Sequence, residues 1–550
     1  MIKLKLSISI LFAVCVSFVL AQNCNCYHSI AASQTYIDGA TMNIKPGDTI
    51  YLEAGNKSYL RLVNFHGDAN KKIVFINRGG EVKIQNTSNP YGIKLGNCSF
   101  FRFTGTGVSS IRYGIKSFGS TGNGISIDDK STNFEVDHIE VGNSGFAGIV
   151  AKSDPTCDST TIRGRFVQYQ TILHDNYVHD TAGEGFYIGH SYYTGYPTTC
   201  NGVSCILFPH VLVGVRIYNN IVENTHWDGI QVGCATEDCE IYGNKVTNYG
   251  VDALSTQNSG IQISGGTTGK CYNNYVANGT GNGIFVMGLG DNDVFNNIIV
   301  NAGYNYYPTD LTKRVHGILC DDRTTIQGRS FNFYNNTIVS PKTDGIRFMS
   351  TQSVNNKFHN NLILKPGSLG SYNQYSKENS YINVGSKSGI SAILSNNYFD
   401  KNMVAVQFAD SAANDFRLNA SSAVIDAGLD LSTYGVNFDF NNAPRPIGKS
   451  FDIGAFERQI VSGIDDISDR SHFVFLYPNP CNGKFKIIFP DSNYSACRIV
   501  LHNLLGNEVF TAERSVGDTT VDLPKKIAKG IYLVTIDTGF ERVESKLIVR

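Results

Sequence analysis

Four stretches near the middle of the chain follow one pattern: RIYNNIVEN at residues 216–224, EIYGNKVTN at 240–248, KCYNNYVAN at 270–278 and DVFNNIIVN at 293–301. Each has an aromatic residue, then a pair that ends in Asn, then apolar residues at alternate positions. The second Asn recurs at Asn176, Asn220, Asn244, Asn274, Asn297, Asn336, Asn361 and Asn397. Apolar residues that alternate by two over short segments indicate β-strands and not helices.

A second landmark is a Gly followed by an apolar, a variable and another apolar residue. It recurs at Gly124, Gly148, Gly185, Gly229, Gly260, Gly283, Gly317 and Gly345. The two landmarks are locked in spacing, since Asn220 to Gly229 and Asn274 to Gly283 both span nine residues. The full unit is 23 or 24 residues (Asn274 to Asn297, Asn220 to Asn244), and a period of this size with short strands predicts a parallel β-solenoid. A propeller would need blades of about 40 residues.

Stacking of such units at about 4.8 Å per coil predicts a role for each landmark. A buried Asn repeated at one corner can donate and accept hydrogen bonds along the stack. The Gly is expected to supply the backbone freedom of a tight bend. The region from Ile44 to Glu457 resembles the right-handed parallel β-helix family of pectate lyases and other polysaccharide-active proteins. That resemblance implies the handedness and an all-β fold class.

The two ends of the chain predict export. Residues 1–21 read as a signal peptide, with Lys3 and Lys5 before an apolar run and a cleavage site before Gln22. No later stretch is apolar and long enough to span a membrane. Lys plus Arg number 46 against 47 Asp plus Glu, so there is no basic field for nucleic acid. In an oxidising compartment we expect local disulfides between Cys200 and Cys205 and between Cys234 and Cys239.

The C-terminal third predicts a cap, a linker and a second domain. We place the β-helix domain at 22–457, with a terminal cap near 421–457 in which Asp426, Arg445 and Asp452 make structural contacts. Residues 458–471 read as a linker, and 472–550 as a small Ig-like β-sandwich. The sandwich resembles the sorting domain of the type IX secretion system of Bacteroidetes, on the motifs Tyr477-Pro478-Asn479-Pro480, Gly530-Ile531-Tyr532-Leu533 and Lys546-Leu547-Ile548-Val549. The resemblance implies engagement of that machinery and a secreted or surface-attached protein.

The repeat also predicts which side chains stack in parallel rows along the coils. The residue before each Gly gives one row, and the second residue after it gives another. Glu184 and Asp228 become neighbours in the first row, where two such carboxylates cannot both ionise freely. Either one stays protonated and serves as a general acid, or a cation such as Ca²⁺ lies between them. His226 is the third catalytic candidate. The alternative is that these acids are only turn residues, exposed and solvated.

Aromatic and polar residues around this pair suit a sugar polymer. Candidate substrate-binding residues are Tyr187, Trp227, Gln231, Tyr192, Tyr306, Lys313 and Arg347. Tyr192 lies in an insertion after Gly189, and Tyr306 and Lys313 lie in another after Asn301, and long loops of this kind often bind ligands. We therefore expect a polysaccharide lyase or hydrolase, or alternatively a glycan-binding surface protein without catalysis. Neither the acidic calcium cluster nor the Arg-centred signature of pectate lyases is present.

Overall fold

Two parallel sheets run the length of the solenoid in a computed structural model. It describes residues 27–86, 88–310, 312–367, 380–384, 389–459, 475–477, 479–488, 496–503, 505–515, 520–537 and 542–550. One sheet has 12 strands and is called the front sheet; the other has 23 strands and is called the back sheet. The predicted signal peptide and most of the predicted linker lie outside the described residues.

The front-sheet strands are Tyr36–Asp38, Leu60–Val63, Tyr91–Gly96, Asn123–Asp128, Ile149–Ala151, Phe186–Ile188, Ile230–Val232, Ile261–Ile263, Ile284–Val286, Ile318–Cys320, Ile346–Phe348 and Ile382–Asn383.

The back-sheet strands are Tyr27–Ile30, Thr49–Lys57, Ile73–Gln85, Ser99–Thr104, Ile115–Phe118, Thr132–Asp137, Ile139–Gly142, Val167–His174, Tyr177–Thr181, Val211–Tyr218, Ile221–Thr225, Ala235–Tyr242, Lys245–Thr247, Gly269–Tyr272, Tyr275–Ala277, Asn292–Phe295, Ile298–Val300, Phe331–Tyr334, Thr337–Val339, Asn356–His359, Leu362–Leu364, Ala392–Ser395 and Tyr398–Asp400.

The hydrophobic core fills the space between the two sheets with residues stacked in register. Ile230, Ile261, Ile284, Ile318 and Ile346 pair in sequence along the front sheet, and none of them is exposed. Fully burying an aliphatic side chain contributes about 1.5–3 kcal/mol, so each residue of this row stabilises the stack of coils.

The recurring Asn forms the predicted ladder at a corner of the back sheet. Asn274 accepts hydrogen bonds at Oδ1 from the backbone N and the Nδ2 of Asn244, at 3.1 and 3.0 Å. Its own Nδ2 donates to the carbonyl of Ile241 and to Oδ1 of Asn297. The same arrangement continues to Asn336 and Asn361. The first residue of each pair, such as Asn273 (φ 54°), is left-handed, which explains why Gly243 alternates with Asn there.

The prediction for the recurring Gly is wrong in its mechanism. Gly229, Gly260, Gly283 and Gly317 are not among the residues with positive φ, so no special backbone freedom is needed. Close approach is the reason instead. A Cβ on Gly229 would lie 2.3 Å from Cγ1 of Val246 and 2.6 Å from the carbonyl oxygen of Gly260.

The predicted cap lies along the side of the coils. A buried cluster joins outer residues of the back-sheet strands, including Ile298 and Val339, to Ile453 and Phe456 of the cap and to Phe416, which precedes it. The left-handed Asn residues hold its backbone, because Nδ2 of Asn335 donates to the carbonyl of Asp452 at 2.9 Å.

The predicted polar contacts of the cap are present and buried. Asp452 Oδ1 accepts from the backbone N of Asp426 at 2.7 Å, and Arg445 donates to the carbonyl of Asp452. Arg445 also pairs with Oε2 of Glu457 at 2.7 Å, and neither side chain is exposed. Two short strands (Phe408–Asp410, Asp415–Leu418) and the 3-10 turns Val404–Val406, Ser411–Ala413 and Ser432–Tyr434 complete this segment; a fourth turn, Gly39–Thr41, lies near the start.

The C-terminal domain consists of two antiparallel sheets around one core. The first contains Phe475–Tyr477, Lys484–Ile488 and Thr520–Asp522, and the second Ala496–His502, Glu508–Ser515, Gly530–Asp537 and Arg542–Val549. Phe485 and Val521 of the first sheet share a buried cluster with Ile499 and Val534 of the second. This is the packing of a β-sandwich.

Both predicted disulfide pairings are wrong. Cys200 is bonded to Cys157, which lies 43 residues earlier, and Cys205 is a free thiol. In the hairpin of Tyr196–Cys200 and Val203–Leu207, Cys205 faces Thr198 and not Cys200. Cys234 and Cys239 are free and buried in the core, because both belong to the interior rows of the solenoid.

Native alkylation tests this cysteine assignment. Among the described thiols, we expect Cys205 to react first with iodoacetamide, because it is half-buried whereas Cys234 is buried and its burial raises its pKa to about 11. Peptide mapping by mass spectrometry measures the sites. Addition of a reductant should expose Cys157 and Cys200 as well. Equal labelling of Cys205 and Cys234 in the folded protein would contradict the assignment.

Candidate functional site

The outer face of the front sheet carries one of the two predicted rows in register, and the other row is buried at the turns that precede the strands. Tyr187 pairs with Gln231, and the row continues through Gln262, Phe285, Leu319 and Arg347. The backbone N of Gly185 donates to the carbonyl of Asp228, so Glu184 and Asp228 sit on adjacent coils as predicted.

The row that precedes the glycines has a structural task that Glu184 does not perform. Oδ1 of Asp228 accepts the backbone N–H of Ser259 on the next coil at 2.6 Å. Asn282 does the same for His316 at 2.9 Å, and Asp344 for Ser380 at 2.9 Å. In the part of the chain that the structure describes, neither oxygen of Glu184 has a hydrogen-bond partner, although the side chain is not exposed at all.

Burial dominates the ionisation of both acids. Desolvation raises the pKa of Glu184 to about 7, and this is opposed first by its own backbone N–H and then by the charge of the nearby Lys152 ammonium. The pKa of Asp228 is raised well above its ordinary value, first by complete burial and further by the charge of Glu184. Oδ2 of Asp228 is also buried without a partner among the described residues. Both carboxyls are therefore held towards their protonated, proton-donating form.

Polar groups beside the acids form a continuous hydrogen-bonded chain. The hydroxyl of Tyr187 lies 2.9 Å from Oγ of Ser191, which accepts from Nε2 of Gln231 at 2.8 Å. Gln262 in turn donates to Oε1 of Gln231 at 3.0 Å. The ammonium of Lys152 lies 4.9 Å from the centre of the Tyr187 ring. This chain of hydroxyls and amides presents donors and acceptors of the kind that sugar hydroxyls match.

Trp227 packs beside the pair, whereas His226 turns away from it. The backbone of Trp227 bonds to Gly183, and that of Gly183 to Phe146, so the three residues stack on successive coils. Since Gly183 has no side chain, the rings of Phe146 and Trp227 meet across it edge to face at 5.4 Å. The imidazole of His226 lies 2.8 Å from Asp252, and none of its contacts among the described residues is with Glu184 or Asp228.

The two insertions lie at opposite ends of the front-sheet strands. The first insertion follows the carboxyl end of strand Phe186–Ile188, and the second precedes the amino end of strand Ile318–Cys320. Because the strands are parallel, these two ends lie on opposite sides of the sheet. In the first, Tyr192 is 51 % exposed and packs against Tyr196.

In the second insertion, Tyr306 is buried against Tyr307, and Lys313 lies 5.5 Å above the ring of Tyr307. The ammonium of Lys342 holds this loop by donating to the carbonyls of Tyr306 and Tyr307. Tyr306 is thus a packing residue in this conformation, and Lys313 is the exposed one.

Sequence reasoning missed Lys152, Ser191 and Gln262 as members of the site. Lys152 directly follows strand Ile149–Ala151 and Ser191 lies in an insertion, so neither belongs to a row that the repeat defines. Gln262 belongs to the predicted row that contains Tyr187, but its place in the hydrogen-bonded chain is seen only from its contact with Gln231.

Comparisons with known proteins agree with this architecture. Residues 204–383 match the family described as right handed beta helix region, and residues 475–550 match the secretion system C-terminal sorting domain. The solenoid is a right-handed parallel β-helix, and a sorting domain follows it in the sequence. That domain marks the protein for export to the cell surface or the medium. No curated protein sequence matches the chain.

Solved structures with similar architecture are distant in sequence. Pectate lyase Pel9A is 14% identical with a TM-score of 0.41, covering 79% of this chain and 96% of its own. The alginate lyase from Paenibacillus sp. str. FPU-7 is 16% identical with a TM-score of 0.33, covering 60% and 94%. The A-module of the Azotobacter vinelandii mannuronan C-5 epimerase AlgE4 is 12% identical with a TM-score of 0.32, covering 64% and 91%. Within the described residues, no helix is both long and apolar enough to cross a membrane.

The outer face of the back sheet of this β-helix is less suited to a ligand. Glu135, Asp137 and His174 are close enough to share a metal ion, but Arg102 already pairs with both carboxylates at 3.3 and 2.7 Å. The rings of Tyr218, Tyr242 and Tyr272 stack at 4.9 Å with interplanar angles of 4 and 6°. Each ring face is covered by the next, which leaves little face for a sugar.

Burial of Glu184 makes a prediction about stability and pH. Its pKa rises from 4.5 to about 7 on folding, so between these values the folded state binds the extra proton and the free energy of unfolding falls as pH rises. Glu184→Gln removes the free-energy cost of ionising a buried carboxyl. We expect the variant and the parent to unfold alike near about pH 4, and the variant to be more stable by about 3 kcal/mol near about pH 8.

Urea unfolding of both proteins across this pH range measures the effect. Glu237→Gln is the matched control, because Glu237 is exposed on the back sheet and its replacement should give a difference with no such pH dependence. A constant difference between parent and Glu184→Gln at all pH values would contradict the buried, raised-pKa assignment.

Proposed function

We propose that this exported β-helix protein cleaves a polysaccharide that lies along the outer face of its front sheet, with Glu184 as general acid. The observation that carries the proposal is the carboxyl of Glu184, which is buried and unbonded in a row whose other acids and amides bond the next coil. Such a group is costly to bury for structure alone, and raised carboxyl pKa values of this kind suit acid catalysis near neutral pH.

Cleavage breaks the bond between a sugar carbon and the glycosidic oxygen, and that oxygen takes up a proton as the leaving sugar departs. In a hydrolase the sugar carbon forms its new bond to water, which loses a proton; in a lyase a carbon–carbon double bond forms as the neighbouring carbon loses a proton to a base. A protonated Glu184 supplies the proton to the glycosidic oxygen, and its pKa of about 7 keeps a large fraction of the group protonated at neutral pH. Sugar hydroxyls would be bound by the hydrogen-bonded chain of Tyr187, Ser191, Gln231 and Gln262. Other parts of the polysaccharide, further along this chain or beside it, would be bound by Tyr192, Trp227, Lys313 and Arg347. His226 is also proposed to belong to the catalytic site, because it lies two residues before Asp228.

Asp228 is proposed to share its proton with Glu184 and to keep one of the two acids protonated. A Ca²⁺ ion between them is the alternative. Calcium takes about six to eight oxygen ligands, whereas the pair offers three oxygens without partners among the described residues. The proton is therefore preferred, and retention of activity after EDTA treatment is the expected result.

A glycan-binding protein without catalysis is the second candidate. It is favoured by the complete burial of Glu184, since a catalytic acid must touch the substrate and the residues around it would have to part first. The exposed Tyr192 and the polar chain on the sheet would serve binding equally well.

A panel of uronic-acid and neutral polysaccharides tests the two candidates with the mature full chain. Ultraviolet absorbance detects the unsaturated ends that a lyase makes, and a reducing-end assay detects cleavage of either kind. Both signals together indicate a lyase, and reducing ends alone indicate a hydrolase. Binding without either signal removes the catalytic proposal and favours the second candidate.

A further inference from the structure

A second cluster of charged residues lies on the same face, far from Glu184. His316 and Asp344 occupy the row that contains Glu184, and Arg347 occupies the row that contains Tyr187. His316 is four coils from Glu184, which at about 4.8 Å per coil is about 19 Å. The distance is too large for the two clusters to act on one bond.

The contacts within this cluster fix the position of Arg314. Its Nη2 lies 2.8 Å from Oδ2 of Asp344, a carboxylate that is not exposed. Nδ1 of His316 lies 3.1 Å from the same oxygen and 3.0 Å from the hydroxyl of Thr343. Since that hydroxyl donates to the carbonyl of Val315 at 2.6 Å, Nδ1 of His316 carries the hydrogen and donates to both oxygens.

Among the residues that the structure describes, this cluster has one positive charge more than its single carboxylate neutralises. Burial lowers the pKa of His316, which is therefore neutral near pH 7 in spite of Asp344. Burial opposes ionisation of Asp344, but the hydrogen bond from His316 and the charge of Arg314 lower its pKa, so it is an anion. Asp344 balances one arginine, and Arg314 and Arg347 supply two.

Arg347 is the group left over. It is half-buried on the sheet, between Leu319 on one coil and Asn383 on the next. The described part of the chain offers its guanidinium no hydrogen-bond partner, and burial lowers its pKa. A desolvated guanidinium with five donors and no acceptor is an unfavourable arrangement that an oxyanion would relieve by bidentate bonds.

We propose that Arg347 and Arg314 form a binding site for an anionic substituent, a carboxylate or a sulfate ester, on the glycan that the front sheet binds. The proposal rests on the proposed function only in that the ligand is a glycan along this face. It requires no cleavage. The substrate class would then be an acidic polysaccharide, held at one end by the arginines while another unit lies at Glu184.

Paired probes that differ only in charge test the site in the mature full chain. We use polygalacturonate with its methyl ester, and dextran sulfate with dextran, and measure binding by isothermal titration calorimetry. The parent should bind at least one charged probe about tenfold more tightly than its neutral partner, as a charge-assisted bidentate contact implies. The preference should shrink as salt is added.

Arg347→Gln should lose most of the preference for the charged probe. Arg347→Lys should recover it only in part, because lysine cannot make the two parallel hydrogen bonds of a guanidinium. Arg323→Gln is the matched control: Arg323 lies 5.3 Å above the ring of Phe285 in the same row, but it pairs with Asp321 at 2.9 Å, so its loss should leave the preference in place. Thermal melts of each variant verify folding.

Preference for the sulfated probe alone, the carboxylated probe alone, or both supports the site and identifies the anion. Equal binding of charged and neutral partners in both pairs overturns the proposal, as does an equal loss in Arg323→Gln and Arg347→Gln. Absence of cleavage with an intact charge preference overturns the enzymatic proposal alone.

Discussion

Glu184→Gln is expected to lower the cleavage rate by at least about 100-fold on any polysaccharide the parent degrades, because positioned general acids contribute about 10²–10⁴. Glutamine keeps the shape of the side chain but has no proton to give. Because the buried Glu184 carboxyl has a pKa near 7, the parent should also lose activity as pH rises through that value. Initial rates from reducing ends, measured with fixed enzyme and saturating substrate, report both effects.

Two comparisons keep this result interpretable. Glu237→Gln makes the same chemical change on an exposed part of the back sheet and should leave the rate within about twofold of the parent, since isolated surface changes are near neutral. Binding of the polymer by Glu184→Gln should persist. A variant that binds and cleaves like the parent would leave Glu184 without a catalytic role, and Asp228→Asn would then be the next variant to assay.

Asn274→Ala is expected to destabilise the β-helix by about 3–5 kcal/mol, the largest structural effect that we foresee. The side chain makes five hydrogen bonds, four with Asn244, Asn297 and the carbonyl of Ile241 and one with Sγ of Cys271. Alanine leaves the backbone N–H of Asn244 and the carbonyl of Ile241 buried without those partners, which costs more than the bonds themselves contribute. Urea unfolding followed by far-ultraviolet circular dichroism measures the change.

Asn70→Ala is the control for the ladder. Asn70 is an exposed turn residue, and its removal should change the free energy of unfolding by less than about 0.5 kcal/mol. A loss in Asn274→Ala no larger than that of Asn70→Ala would mean that the ladder follows the stack of coils without holding it together.

Repetition made the fold predictable from the chain alone. A repeated pattern places equivalent residues at equivalent positions, so the stacked Asn ladder and the adjacency of Glu184 and Asp228 followed from spacing. The same argument predicted the side-chain rows of the front sheet. The sorting domain was predictable because its motifs are local in sequence.

Features that depend on close approach were not predictable in this way. The recurring Gly is required by a neighbour, Val246 in the case of Gly229, and not by its own backbone angles. Cys200 bonds to Cys157 across a long separation, and no sequence signal distinguished that partner from Cys205. Lys152 and Ser191 joined the site from positions outside the repeat.

By itself the sequence determined a stacked coil, its register and the export domain, because each is written in a period or in a short contiguous motif. Only the tertiary structure decided that His226 pairs with Asp252 and that, within the described residues, Glu184 and the guanidinium of Arg347 have no hydrogen-bond partner. The physical reason is that burial and pairing depend on what neighbouring coils and insertions bring to within a few ångströms, and a repeat specifies neighbours along the stack but not the loops that cover them.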